Sequence, residues 1–431
     1  MFRRLLFLST IAILSLTSCL NDECESTRTY NKWSPVYVTE EGLRPDITNE
    51  APRDLTNPGK IYTYRHYLFI NELRAGVHVI DNSDPAAPVP VSFIGIPGNV
   101  DISIKGDILY ADMFRDLVSI DISDLNNAVL VDRQENVFES FIPFDNSEGK
   151  YIVEYQSTRE SIIVDCGDDR WGQTWFRGGP DIFVDAEFDQ LSNASRSPTA
   201  FSGAPSSFSS VGTGGSLARF TITKDHLYAL DDSRINVFEI GSELPDKQSV
   251  VQVGWGIETI FPYKEFLFIG ANNGMFIYDT EDPAQPRELS MFSHARACDP
   301  VFVDDNIAYV TLRGGGPCNN QTNQVDVLDV SNVTAPELLA TFPMTNPHGL
   351  SVLNDVLYLC EGEQGLKVFD VTDPLALDKS LITLIDRHHS FDVIALSSGL
   401  LLVIGDDGLY QYDVRDPNDI EPLSMIAVIK S

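Results

Sequence analysis

The sequence predicts an all-β fold built from repeated four-stranded units, and three observations carry that prediction. An aliphatic run ending in an acid, often followed by Asp-Pro, recurs along the chain. It reads IDNSDP from Ile80, IDISDL from Ile120, FEIGSE from Phe238, YDTEDP from Tyr278, LDVSNV from Leu328, FDVTDP from Phe369 and YDVRDP from Tyr412. Each copy is preceded by a second strand signal: Leu68-Phe69-Ile70, Leu109-Tyr110, Leu227-Tyr228, Leu267-Phe268-Ile269, Ala308-Tyr309-Val310, Leu357-Tyr358-Leu359 and Leu401-Leu402-Val403. Helical periodicity is nearly absent. Seven copies at a spacing of about 40 to 50 residues, with four short strands each, predict a β-propeller of seven four-stranded blades.

Within a copy the elements follow in order. A first strand (A) is visible as Phe220-Thr221-Ile222 or Pro300-Val301-Phe302-Val303, and the aromatic pair marks strand B. Strand C ends at Asp81, Asp121, Glu239, Asp279, Asp329, Asp370 or Asp413. The spacing from the strand B centre to that acid is 11 or 12 residues in six copies and 20 in the fifth, where a loop is inserted. The acid and the following Asp-Pro specify a turn: Asp bonds its own backbone and Pro presets φ. A fourth strand (D) follows, as in Pro90–Ile94 or Leu338–Thr341. One long insertion, about residues 135–215, separates the second and third copies. Its first part is strand-like at Lys150–Val153 and Ser161–Asp165; Ser192 to Gly215, including Gly212-Thr213-Gly214-Gly215, reads as a flexible loop.

The N-terminus reads as a targeting segment. A basic start (Arg3, Arg4) and an apolar run from Leu5 to Leu16 end in Leu16-Thr17-Ser18-Cys19, which resembles the lipobox of bacterial lipoproteins. The expected organisation is a signal peptide at 1–18, lipidation at Cys19, an anchor and tether segment at 19–58, and the propeller at 59–431. Cys19 is not followed by Asp, and an acidic stretch comes soon after, so the expected location is the outer membrane, lipid-anchored, on its periplasmic or cell-surface side. The chain carries 63 acids against 30 bases, a formal charge of −33. That balance argues against a nucleic-acid partner, whose phosphates need a basic surface.

In a four-stranded blade the B–C loops and the D–A connections open at the same end. That end collects Trp255, Glu258, His294, Arg296, Asp299, Arg313, His348, His388, His389 and Asp392, the candidate binding face. Counting back ten residues from each strand B centre gives Val100, Ala218, Glu258, Asp299, His348 and Asp392 at the mouth of the central channel. Four of these six are ionisable. Two carboxylates near a His suit a divalent metal or a polarised water; equally, a wet channel mouth takes polar residues, and Arg296 and Arg313 supply cations to pair with the acids. Five cysteines besides Cys19 leave at least one unpaired within the chain. Cys298 with Cys318 is the favoured bond, with Cys360 as the rival partner of Cys318. No nucleophile elbow, phosphate-cradling loop or zinc-protease motif is present.

The repeats resemble the LVIVD-repeat family, on Val77-His78-Val79-Ile80-Asp81 and Leu117-Val118-Ser119-Ile120-Asp121. Stretches such as Gly274–Asp279, Ala308–Arg313 and Pro347-His348-Gly349-Leu350 are most similar to its lipid-anchored Bacteroidetes members. The resemblance implies a propeller and carries no catalytic mechanism. The expected function is therefore a noncatalytic binding or scaffold lipoprotein that presents one propeller face to a protein or glycan partner, with no cofactor. The alternative is a metal-dependent envelope hydrolase using the acids and His at the channel mouth.

Overall fold

The computed structural model describes residues 25–138, 150–165, 174–176, 182–185, 213–242, 244–294, 300–314 and 322–429. The chain divides into two compact units, Met1–Val36 with Glu154–Asn193, and Tyr37–Val153 with Ala194–Ser431.

Among the described residues of the larger unit, seven repeats each form an antiparallel A-B-C-D meander, one after another. Blade one uses Pro58–Tyr64, Tyr67–Glu72, Gly76–Asp81 and Val89–Gly95. Blade two uses Ile102–Lys105, Ile108–Met113, Asp116–Asp121 and Val129–Gln134. Blade three uses Phe220–Thr223, His226–Leu230, Arg234–Glu239 and Asp246–Gln252. Blade four uses Ile257–Tyr263, Phe266–Ala271, Gly274–Asp279 and Arg287–Ser293. Blade five uses Val301–Asp304, Ile307–Leu312, Gln324–Asp329 and Glu337–Pro343. Blade six uses Leu350–Leu353, Val356–Cys360, Leu366–Asp370 and Leu381–Ile385. Blade seven uses Asp392–Ala395, Leu400–Gly405, Gly408–Asp413 and Glu421–Ala427. Strands B and C are buried almost throughout, which explains why their sequences are continuous apolar runs rather than alternating ones.

The A strands of successive blades pack against one another, and strand A of blade one meets strand B of blade seven, closing the ring. Hydrogen bonds cross every seam. Ser92 Oγ donates to Leu125 O, Lys105 Nζ to Ile240 O, Ser249 Oγ to Ala284 O and Ser290 Oγ to Val333 O. Thr311 Oγ1 donates to His348 O, Ala395 N to Ser351 Oγ, and Ser424 Oγ to Pro85 O. At the last seam Asn82 and Gln411 also exchange two amide hydrogen bonds, of 2.8 and 2.7 Å. The segment leading into blade one meets the end of blade seven there too: Ile429 N donates to Leu55 O.

The repeated acids have the turn-forming role read from the sequence. Asp81 accepts from Ser83 N and Asp84 from Ala86 N, and the same tandem recurs at Asp121/Asp124, Asp279/Asp282, Asp370/Asp373 and Asp413/Asp416. The carbonyls of the C–D turns accept from four of the seam serines noted above, Ser92, Ser249, Ser290 and Ser424, so one motif both turns the chain and latches blades. All seven C–D pairs carry a register shift, the extra residue that tightens the twist of an outer strand.

Two expectations are revised. The tether is not simply a connector: Glu25–Thr39 is a long strand, in a separate four-stranded sheet with Lys150–Asp165, Thr174–Phe176 and Ile182–Asp185 of the insertion. Thr48–Glu50 is a further strand that pairs with the outer edge of blade one. Thr213–Gly214, expected as flexible loop, is a short strand on the inner side of blade one, with Thr213 opposite Thr63 and Gly214 opposite Tyr62. Composition alone misses this, because a Gly-rich segment lacks side chains to signal a strand but fits where backbones approach closely. The rest of the Ser192 to Gly215 stretch, up to residue 212, lies outside the described residues.

Candidate binding face

The D–A connections and B–C loops place most of the described candidate residues at one end of the blades. His348 lies two residues before strand A of blade six. Its N–H donates to Cys360 O (2.8 Å) and its carbonyl accepts from Thr311 Oγ1 of blade five (2.9 Å). Its ring lies 6.2 Å from that of His389, which leads into blade seven. Burial, then the Arg313 guanidinium, then His389 hold the His348 imidazole well below its ordinary pKa, so it is neutral at pH 7. Arg313 directly follows strand B of blade five and is only 8% exposed. Burial pulls its pKa down, and Glu258 on strand A of blade four pushes back. Glu258, Arg313, His348 and His389 thus form a polar line across blades four to seven.

The other candidates divide. Trp255, between blades three and four, is 82% exposed. Its neighbours Gly254 and Gly256 have φ of 152° and 73°, a backbone course that side-chain-bearing residues rarely take. His388 is buried, stacks on Tyr410 at 4.1 Å and bonds its Nδ1 to His389 O, a structural arrangement. His294 packs its ring 6.4 Å from Phe292. Asp392, beside Gly349, is fully buried; its Oδ1 accepts from Val393 N, and burial raises its pKa well above the ordinary carboxylate value. Val100 and Ala218, counted as channel-mouth positions, make backbone and apolar contacts. Val100 N donates to Asp112 Oδ1, and Ala218 packs with Phe261 and Phe302 while its carbonyl accepts from Ile260 N.

Cys360 is a free, buried thiol, so the rival bond from Cys318 to Cys360 is not formed in this structure. Cys19, Arg296, Cys298, Asp299 and Cys318 lie outside the described residues. Among the described residues no group of three His, Cys, Asp or Glu side chains is arranged to hold a metal ion; the divalent-metal reading of the sequence included Asp299.

The structure also shows two polar systems the sequence reading missed. The first fills the centre of the ring. Lys60 on strand A of blade one pairs with Asp101 at 2.7 Å, both buried. Asp101 also accepts from the backbone N–H groups of Arg219 and Phe220. Asp112 accepts from Val100 N and Asp101 N, and burial raises its pKa to about 6. Residues 213–218 run through this centre: Ser216 Oγ accepts from Leu350 N of blade six, while Thr213 and Gly214 pair with blade one. The channel is therefore crossed by the chain itself. The second system clamps D–A connections from the end of strand B. Glu361 accepts from Thr345 N, Asn346 N and Lys367 Nζ, and Glu72 accepts from Thr56, Asn57 N and His78 Nε2. A signal for it existed: an acid follows the strand B aromatic by two or three residues at Glu72, Asp112, Asp231 and Glu361.

Comparison with curated proteins gives no match. Among solved structures, the chain is similar to Kluyveromyces lactis Hsv2, with 8% identity over 74% of this chain and 75% of that one, at a TM-score of 0.40. It is similar to the computationally designed Ika8 protein, with 11% identity over 86% and 98% of the two chains, at 0.42. A functionally unknown protein from Desulfotomaculum acetoxidans DSM 771 gives 12% identity over 87% and 100%, at 0.45. The LVIVD repeat family matches residues 98–134 and 296–343. The first span covers the strands of blade two and the second those of blade five, so the chain is a protein of repeated β-sheet blades that carries LVIVD repeats.

Proposed function

We propose that this protein is a noncatalytic binding or scaffold lipoprotein of the cell envelope, held to the outer membrane through lipidated Cys19. Its partner is a protein or glycan, met at the end of the blades that carries Trp255, Glu258, Arg313, His348 and His389. The observation that carries the reading is Trp255: a large aromatic side chain, 82% exposed, held out on a glycine-flanked turn at the same end as the polar line. Exposed aromatics beside polar groups suit interfaces, where they supply contact area at little entropic cost. The cell-surface or periplasmic placement rests on the lipobox resemblance and the acidic stretch after Cys19.

The test is crosslinking of the tagged protein in its native envelope, with the parent chain and a Trp255→Ala variant side by side. A stoichiometric partner that is captured by the parent and lost from the variant supports the reading. Equal capture by both, or none by either, overturns it. Cys19→Ala is expected to release the protein from the membrane fraction; continued membrane retention would contradict the anchor.

A further inference from the structure

Lys60 and Asp101 belong to neighbouring blades and meet in the interior. Lys60 lies in the register shift of strand A of blade one, between the pairs Pro58–Glu72 and Ile61–Ile70, and such a bulge re-aims a side chain. Its ammonium stands 2.7 Å from Asp101 Oδ2, and both side chains are only 4% exposed. Asp101 immediately precedes strand A of blade two, and both oxygens of its carboxyl are fixed. Oδ1 accepts from Ile102 N at 2.8 Å, and Oδ2 accepts from Arg219 N and Phe220 N. Asp112 stands beside the pair. Its Oδ1 accepts from Asp101 N at 2.8 Å, while its buried Oδ2 has no hydrogen-bond partner among the described residues.

These groups are the parts of an amide-forming site. Desolvation opposes both charges of a buried ion pair, which favours moving the proton off the amine. Burial lowers the Lys60 pKa accordingly, against the pull of Asp101. Burial also brings Asp112 up to about 6, where a carboxyl can both take and give a proton near neutrality. The two backbone N–H groups on Oδ2 are placed to hold negative charge that develops there, as in an oxyanion hole. The fold holds amine and carboxyl in contact, so their reaction carries no cost of encounter.

We propose that Lys60 and Asp101 condense into an intramolecular isopeptide bond that joins blade one covalently to blade two, with Asp112 as the proton relay. Asp112 takes a proton from the Lys60 ammonium and passes it to Oδ1 of Asp101, leaving a neutral amine beside a carboxylic acid. The Nζ lone pair attacks Cγ and forms the C–N bond, and Arg219 N and Phe220 N hold the charge on Oδ2. Asp112 then takes a second proton from Nζ and passes it to Oδ1. The Cγ–Oδ1 bond breaks, one water leaves, and Oδ2 becomes the amide oxygen. Asp112 ends as it began, and nothing is oxidised or reduced. One ammonium and one carboxylate disappear together, which removes the buried charge pair from the centre of the ring.

The test is peptide mapping by mass spectrometry of the full chain purified from its envelope and denatured before digestion. The expected product is one branched peptide that joins the segments around Lys60 and Asp101 and is lighter by one water than the two together. Lys60→Arg keeps the cation and should yield the two segments unjoined. Asp112→Asn keeps an acceptor oxygen for Val100 N and Asp101 N but relays no proton. It should slow joining by about a hundredfold or more, read as the joined fraction against time after a pulse of synthesis. A circular dichroism spectrum like the parent's separates lost chemistry from lost folding in either variant, and the parent map decides the case if a variant misfolds. Parent protein whose two segments are recovered unjoined overturns the proposal. So does a lost water that maps to other residues, or an Asp112→Asn variant that joins at the parent's rate.

Discussion

Gln411→Leu is expected to loosen the ring at its one seam that no peptide chain crosses between consecutive blades. Gln411 is fully buried and Asn82 is 7% exposed, and they exchange two hydrogen bonds of 2.8 and 2.7 Å between blades seven and one. Leucine keeps most of the volume but removes both bonds and strands the Asn82 amide. Each lost bond is worth about 1 kcal/mol net, and an unsatisfied buried polar group costs about 1–3 kcal/mol. With partial rehydration of Asn82 the expected loss is about 2–4 kcal/mol. Urea unfolding followed by the β-sheet circular dichroism signal measures it. Hydrogen exchange at Ile429, whose N–H donates to Leu55 O, locates the effect at the seam. The double variant Asn82→Leu, Gln411→Leu removes the stranded amide and should recover much of the loss, since replacing both partners by apolar groups is far milder than replacing one. A single variant within about 0.5 kcal/mol of the parent, or a double variant as unstable as the sum of the singles, refutes the reasoning.

Glu361→Ala removes the acceptor of two backbone N–H groups and leaves Lys367 without its 2.7 Å partner; a loss of about 3 kcal/mol or more is expected in the same unfolding assay. Glu72 sets an acid limit. Burial alone would raise its pKa, but donors from His78, Thr56 and Asn57 outweigh that and hold it at about 2, against an ordinary 4.5. Its folded pKa is depressed, so its contribution is complete above about 4.5 and is lost as pH falls toward 2; Glu72→Gln should flatten that part of the stability–pH curve. Asp392 has the opposite sign. Its folded pKa is raised, mainly by burial, so it contributes below the ordinary value of 3.8 and loses that contribution as pH rises through its folded pKa. Asp392→Asn should therefore stabilise the protein at neutral pH and lose its advantage near pH 4; a variant less stable than the parent at pH 7 would contradict this.

The blades were legible because their determinants are local. Strand C must end in an acid that bonds its own turn, as Asp81 does with Ser83, and strands B and C must be apolar on both faces, as Leu267–Ala271 and Met275–Tyr278 are. The face was legible in part: connectivity alone puts His348, His389, Arg313 and Glu258 at one end. Counting along the chain said nothing of burial: Ala218 belongs to a hydrophobic cluster and Asp392 is fully buried. A count gives a position along a strand, not what stands opposite it.

The sequence by itself determined the repeat, its turns, its strand order and the acidic character of the surface. Those follow from residues within one blade, whose backbone hydrogen bonds and turn caps close over short stretches of chain. Tertiary structure alone decided that Lys60 pairs with Asp101, that residues 213–218 cross the channel from blade one to blade six, and that Asn82 meets Gln411. These contacts join residues 41 to 329 positions apart. Nothing in the local pattern of either partner specifies the other, and they form because closing a ring brings the first blade against the last and buries Lys60 and Asp101 together.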